Sequence, residues 1–375
     1  MTDSLQPFRS TRAIINTQAL KDNLSKVREY APQSRVMAVI KANAYGHGLV
    51  AVAKSLETVD SFAVASVDEA LQLRKNSIHT PIVVLGGFND GMELQAAYQY
   101  HLTPVINNSS QLQVLSDFVA TRVGLLSNKL SVWLKVDTGM HRLGFPLHEI
   151  ESAYLKVKAL TAIDPKIGLM SHFACADERH NNFNSRQLEL FAEVVNKLQP
   201  SLTSMANSAA IINMPDSHYD IVRAGIMIYG VNPFPEQSGV DLGLKPVMTL
   251  KANIVAIKEL AKGEKIGYGS TWECPQDMQM AIVAIGYGDG YPRHAVSGTP
   301  VLLNGVETQL IGRVSMDMIS IDLRPLMNQG ISVKVGNEVI LWGDNLAIER
   351  VASCADTIAY ELLCGVTARV NLEYS

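Results

Sequence analysis

Cysteine is scarce. The four thiols, Cys175, Cys274, Cys354 and Cys364, form no CxxC pair and are too thinly spread for a disulfide scaffold. Reduced cysteines in a cytoplasmic protein are the expectation. Basic excess is missing too: 32 Lys and Arg stand against 36 Asp and Glu, a formal charge of -4, which argues against a nucleic-acid binder. No run of about 18 apolar residues is present to span a membrane. The opening MTDSLQPFRSTRAI lacks the apolar core of a secretory signal. His47 has no second ligand at metal spacing, so no metal site is expected. What is there is a chain of 375 residues, 47% apolar, long enough for a large core and for more than one domain.

Eight short apolar runs recur through the first part: Val36–Ile40, Phe62–Ala65, Ile82–Leu85, Leu102–Ile106, Val132–Val136, Ile167–Met170, Leu202–Met205 and Ile221–Val222. Runs without alternation are strands buried on both faces, as parallel strands are. Between several of them lie segments of helical period, such as Leu20, Leu24, Val27 and Leu188, Phe191, Val194, Val195. Eight such units fit a (β/α)8 TIM-type barrel, although periodicity leaves an open doubly wound sheet equally available. The texture changes after Pro233. Pro233–Gly243 reads as a linker, and beyond it Met248, Leu250, Ala252 and Ile254 alternate, as do Met280, Ile282 and Ala284. Asn304-Gly305 and Gly336-Asn337 each sit between apolar runs and predict hairpins. The reading is an α/β barrel over 1–236 followed by a mostly β C-terminal domain over 237–375.

In such a barrel the active site lies where the strands end. The first run ends in Lys41; later ends carry Ser66, Asn107-Asn108, Asp137 with Arg142, Ser171-His172, Asn207-Ser208 and Arg223 with Gly225. The loops after the last two strands commonly hold a phosphate. Here they offer the Ser208 hydroxyl and backbone N–H groups near Gly225 and Ile226. A phosphate site facing a lysine fits pyridoxal phosphate joined to that lysine as a Schiff base. Alone, Lys41 would be a solvated strand end, His172 a satisfied rim histidine, Tyr268 an interface tyrosine and Met316 a core methionine.

A series of motifs then points to one family. AVIKANAYGHG (Ala38–Gly48), LKVDTGMHRLG (Leu134–Gly144), MSHFACAD (Met170–Asp177), ANSAA (Ala206–Ala210), VRAGIMIYG (Val222–Gly230), IGYGSTW (Ile266–Trp272), GYGDGYPR (Gly286–Arg293) and GRVSMDM (Gly312–Met318) occur in order. Together they resemble the alanine racemases, which pair a pyridoxal-phosphate barrel with a β-domain. The resemblance implies that Lys41 carries the cofactor and handles the D-alanine α-proton, while Tyr268 handles that of L-alanine. Tyr45, Ser208, Gly225 and Ile226 would hold the phosphate and Arg223 would face the pyridine nitrogen. Arg142 and the backbone of Met316 would bind the substrate carboxylate. Lys135, carbamylated in the family's pattern, would orient Arg142; His172, Arg293 and Asp317 would support the site. Tyr268 would come from a partner chain, giving a homodimer with shared active sites. One departure stands out: some relatives have a tyrosine just before the arginine of the C-terminal segment, where this chain has Ala368 before Arg369. Tyr360 lies eight residues earlier.

The chemistry asks for these residue types. Racemisation removes a proton from one face of Cα and returns it on the other, so two bases are expected. Lysine and tyrosine titrate near 10 and need roughly three units of help from their surroundings. Arginine keeps its proton, so Arg223 would only donate a hydrogen bond to a pyridine. Lys135 alternates with Trp133 and Asp137; a lysine inside a barrel needs pairing with Asp137, or carbamylation. Alanine racemisation supplying D-alanine to the cell wall is the leading expectation. The alternatives are a racemase of broader range, a non-catalytic pyridoxal-phosphate carrier and a cofactor-free Schiff-base aldolase.

Overall fold

The structure is a computed structural model that describes residues 9–122, 127–234 and 236–375. Most of the opening segment read for an export signal lies outside them. Two compact units emerge, and neither is one stretch of sequence: Met1–Asp22, Tyr45–His47 and Tyr229–Ser375 form one, Asn23–Ala44 and Gly48–Ile228 the other. The expected cut at 236 is a single boundary, whereas the chain starts in the β-rich unit and returns to it. The reason is strand β1 (Arg12–Ile15). It runs antiparallel to the first strand after the linker and parallel to the last strand of the chain.

The second unit holds strands β2 (Arg35–Val39), β3 (Ser61–Val64), β4 (Ile82–Val84), β5 (Thr103–Ile106), β6 (Trp133–Lys135), β7 (Gly168–Met170), β8 (Leu202–Ser204) and β9 (Ile221–Ala224). Each falls on one of the eight apolar runs. They pair in parallel in chain order, and β9 returns to β2 with Val36 opposite Val222. Only β8 and β9 lack a ladder. Instead the Ser204 hydroxyl donates to Ile221 O at 2.6 Å and Arg223 N–H donates to Ala206 O at 2.9 Å, closing the ring. The closed form, rather than the open sheet, is thus the one adopted. Val36, Met37 and Ala38 are fully buried, the continuous burial that a barrel wrapped in helices demands. At Gly168 a Cβ would stand 2.4 Å from the Trp133 ring, so the large side chain occupies the space a smaller neighbour vacates.

Helices start where the rim supplies caps. Ser66, Asp90, Asn108 and Asn207 each accept backbone N–H groups of the following turn. Three of these were among the strand-end polar residues read as a functional rim; Ser66, Asn108 and Asn207 are accounted for by helix initiation.

The first unit continues with β10 (Met248–Leu260), β11 (Lys265–Ile266), β12 (Trp272–Glu273), β13 (Met278–Val283), β14 (Pro300–Leu303), β15 (Val306–Ile311), β16 (Ile319–Asp322), β17 (Glu338–Trp342) and β18 (Asn371–Tyr374). The long β10 pairs with β17 through its first half and with β13 through its second. Because β13, β16, β15, β14 and β17 are neighbours in that order, those pairings close a six-stranded ring. Asn304-Gly305 makes the expected hairpin between β14 and β15, both residues having positive φ. Gly336-Asn337 does not: Val333–Val335 is no strand. Gly336 N–H and Asn337 O are both spent on Ile254 of β10, so the turn leads β17 onto β10 instead of folding it back on its own flank. No described helix is long and apolar enough to cross a membrane.

Candidate active site

Strand β2 delivers Lys41 into an uncommon turn. Ala42, Asn43, Ala44 and Tyr45 all have φ between 51 and 54, a left-handed run costing about 1–2 kcal/mol per residue. Hydrogen bonds hold it. Ala42 N–H donates to the Glu69 carboxylate at 2.7 Å, and Leu49 N–H donates to Asn43 Oδ1 at 2.8 Å. The other Glu69 oxygen accepts Ala65 N–H at 2.7 Å, so one carboxylate ties together the ends of β2 and β3. Sequence reasoning passed over Glu69, although its S-x-x-E spacing from Ser66 marks a capping box. The carboxylate here bonds outward to the neighbouring strand end.

Arg223 is 4% exposed and engaged at both terminal nitrogens. One donates to the Ser204 hydroxyl at 2.7 Å. The other donates to Ser171 O at 2.5 Å and Met205 O at 3.1 Å, and meets His172 Nδ1 at 3.1 Å. Among the described residues Nε–H has no partner. Burial pulls the guanidinium down to about 10, so it stays charged at neutral pH. An arginine nitrogen cannot accept, so His172 Nδ1 must be the acceptor and the ring proton sits on Nε2. Burial, then the charges of Arg223, Lys135, Arg142 and Lys41, hold His172 well below the usual histidine range. Both facts make it a neutral donor at Nε2.

Lys135 shares this cationic neighbourhood. Burial first, then Arg223, Arg142 and Lys41, depress its ammonium to about 8, against a weaker opposing pull from Asp137. Of the two solutions open to Lys135, pairing with Asp137 is not the one formed. Asp137 accepts Gly139 N–H, His141 N–H and His141 Nδ1 instead, which folds the 137–145 loop back on itself. That loop presents Arg142 exposed, with no hydrogen bond or ion pair among the described residues.

At the last two strand ends the Ser208 oxygen accepts Gly225 N–H at 2.9 Å and Met227 N–H at 3.4 Å. Its own hydroxyl proton remains to be donated, and Ile226 N–H has no partner among the described residues.

The β-rich unit carries the other predicted residues. Tyr45 packs on Tyr229 at 4.7 Å and faces Tyr360 at 6.1 Å between ring centroids. Tyr360, on the helix Ala359–Gly365, thus brings a second phenol ring near Tyr45, whereas position 368 is an alanine. Burial, with Cys364 adding to it, pushes the Tyr45 hydroxyl above the usual tyrosine range. Tyr268 is 67% exposed between Gly267 and Gly269, both of positive φ. Met316 is 52% exposed, and Arg293 is half-buried beside Tyr287 and His294. Asp317 is held by Arg369 at 2.5 Å. Among the described residues no His, Cys, Asp or Glu cluster could hold a metal.

A (β/α)8 barrel whose rim gathers Lys41, Lys135, His172 and Arg223, joined in one chain to a β-domain, defines a barrel enzyme with an appended β-domain. The family models are more specific. "Alanine racemase, N-terminal domain" matches residues 15–233 and "Alanine racemase, C-terminal domain" matches 247–374. The alanine racemase of Nitrosococcus oceani is 49% identical over 359 residues, covering 96% of this chain and 98% of that protein. That of Coxiella burnetii is 48% identical over 364 residues, covering 96% and 97%. The crystal structure of the biosynthetic alanine racemase from Pseudomonas aeruginosa superimposes with a TM-score of 0.93 at 40% identity, covering 98% of this chain and all of that one. The chain belongs to the alanine racemase family and is an isomerase of the racemase class.

Proposed function

We propose that this protein interconverts L- and D-alanine as a cytoplasmic, pyridoxal-phosphate-dependent homodimer whose D-alanine serves cell-wall synthesis. The observation that carries the reading is Arg223, a buried cation locked to the barrel wall through both terminal nitrogens with its Nε–H left to give. The residues present fit the cofactor at both ends. Ser208 retains a hydroxyl proton and Ile226 an N–H for a phosphate, next to Gly225, and Arg223 Nε–H suits a pyridine nitrogen; the family resemblance adds Tyr45 as a phosphate ligand. When bound, pyridoxal phosphate supplies the electron sink that makes an amino-acid Cα proton removable. Arg223 would donate a hydrogen bond but no proton to the pyridine nitrogen, which would keep that sink weak and favour return of the proton to Cα.

Lys41 would hold the cofactor, and its amine would move the proton on one face of the substrate Cα. Tyr268 of the partner subunit moves the proton on the other face, and its exposure in the single chain accords with burial in a dimer. His172, neutral with Nε2–H, is a donor suited to stabilising a phenolate. Arg142 offers an unspent planar fork to the substrate carboxylate, joined by Met316 N–H, with Arg293 and Asp317 beside the approach. Lys135, as a carbamate, pairs with Arg142 and orients it. A visible spectrum and kinetics in both directions test the reading. Lys41→Ala should lose both the visible cofactor band and activity; Tyr268→Phe should keep the band and lose most racemisation. Normal two-way rates in Tyr268→Phe would refute the two-base assignment. Rates on serine, lysine or arginine equal to those on alanine would replace the substrate assignment with a broader one.

A further inference from the structure

The Met316 loop is held from behind. Tyr287 N–H donates to Ser315 O at 3.0 Å and Gly288 N–H to Met316 O at 2.8 Å. The loop's carbonyls are spent inward, while Met316 N–H has no partner among the described residues. The two glycines of the clamping segment have no room for a side chain. A Cβ at Gly286 would lie 2.2 Å from Ser315 O, and one at Gly288 would lie 2.3 Å from the Arg369 guanidinium.

What fixes the clamp is Asp289, fully buried at the end of the same turn. Its Oδ2 accepts Gly286 N–H at 3.0 Å and the Arg9 guanidinium at 2.5 Å. Its Oδ1 lies 3.3 Å from Arg369 Nε, an ion-pair distance without hydrogen-bond alignment. The far end of Arg369 reaches Asp317 at 2.5 Å, and Arg9 stands 4.0 Å from the same carboxylate. The backbone is tied in as well: Thr367 N–H donates to Asp289 O at 3.1 Å, and the Thr367 hydroxyl donates to Gly288 O at 3.0 Å. One buried carboxylate thus sets the turn that grips Met316 O and the arginine that grips the residue after Met316.

We propose that Asp289 is a positioning residue for substrate binding: through the 286–290 turn and Arg369 it holds Met316 N–H in the place where it meets the substrate carboxylate. This rests on the reading that Met316 binds that carboxylate. Asp289→Asn keeps the shape and an acceptor for Gly286 N–H but removes the charge that both arginines face. In the cofactor-loaded enzyme, KM for L- and D-alanine should rise together about tenfold, the loss of one charge-assisted contact, with kcat little changed. The symmetry of racemisation fixes its equilibrium constant at one, so kcat/KM must fall equally in both directions.

Two inhibitors separate positioning from general damage. Propionate, a carboxylate without an amine, should bind about tenfold more weakly; ethylamine, an amine without a carboxylate, should bind as before. Should Asp289→Asn fail to fold, Arg369→Gln leaves Asp289 paired to Arg9 and should show the same split, at about threefold. Unchanged propionate binding in both variants overturns the proposal, as does equal weakening of ethylamine. Met316→Pro, which deletes the N–H, tells the two failures apart. If it weakens propionate while Asp289→Asn does not, only the positioning role falls. If propionate binding is also unchanged in Met316→Pro, the carboxylate assignment falls with it.

Discussion

Replacing Lys135 with methionine should stabilise the protein in buffer free of carbon dioxide. The ammonium is depressed from its ordinary 10.5 to about 8, a penalty of at most about 3 kcal/mol for keeping it charged inside the barrel. The sign follows from proton counting. Between pH 8 and 10.5 the unfolded chain binds more protons at this site than the folded one, so the stability of the parent rises with pH across that window. Below pH 8 the full penalty is present; near pH 10.5 it is gone. Lys135→Met carries none of it. Its advantage should be largest at pH 7, several degrees in melting temperature, and should shrink toward zero by about pH 10.5. Bicarbonate should reverse the ranking. A pKa near 8 leaves about a tenth of the amine neutral at pH 7, roughly 300-fold more than an ordinary lysine. Its nitrogen can attack carbon dioxide, forming an N–C bond and releasing one proton to water. The carbamate is an anion among Arg142, Arg223 and Lys41, so the parent should gain stability and the methionine variant should not. Chemical denaturation at pH 7 and 10, with and without 13C-bicarbonate, gives four stabilities for each protein, and NMR reports the carbamate carbon. A variant no more stable than the parent in carbon-dioxide-free buffer at pH 7 would refute the reasoning, as would an advantage that persists unchanged at high pH.

Three further outcomes are expected. Arg223→Met should raise the His172 pKa, because the arginine charge is the largest Coulombic cause of its depression; a ring titration by NMR showing no rise would contradict this. The same variant strands the acceptors Ser171 O, Met205 O and Ser204, and should lose about 1 kcal/mol or more for each, read from the denaturation midpoint. Gly168→Ala forces a methyl to 2.4 Å from the Trp133 ring and should cost about 1–3 kcal/mol by overpacking, whereas Gly305→Ala, with nothing within 4 Å but φ at +79, should lose only about 1–2 kcal/mol of backbone preference. A loss below about 1 kcal/mol in Gly168→Ala would show that crowding at Trp133 is relieved by local movement.

Sequence by itself determined the strands and the chemistry types. Continuous apolar runs such as Val36–Ile40 can only be buried on both faces, and Asn304-Gly305 can turn a hairpin because its own backbone tolerates positive φ. Those are local properties. So is the motif order, which places Lys41, Arg223 and Tyr268 without coordinates. Tertiary structure decided what local rules leave open. Ring closure depended on Ser204 and Arg223 stitching β8 to β9, a long-range pairing that no periodicity encodes. Gly336-Asn337 turned onto β10 because a remote strand outcompeted its own flank. Ser66, Asn108 and Asn207 proved to be helix caps, since a cap and a ligand group look alike until the next turn is built. Pairing of Lys135 with Asp137, one of two solutions open to it, failed because Asp137 satisfied itself within its loop. The hub that Arg9 and Arg369 form on buried Asp289 joins residues up to 360 positions apart, and only folding brings such charges together.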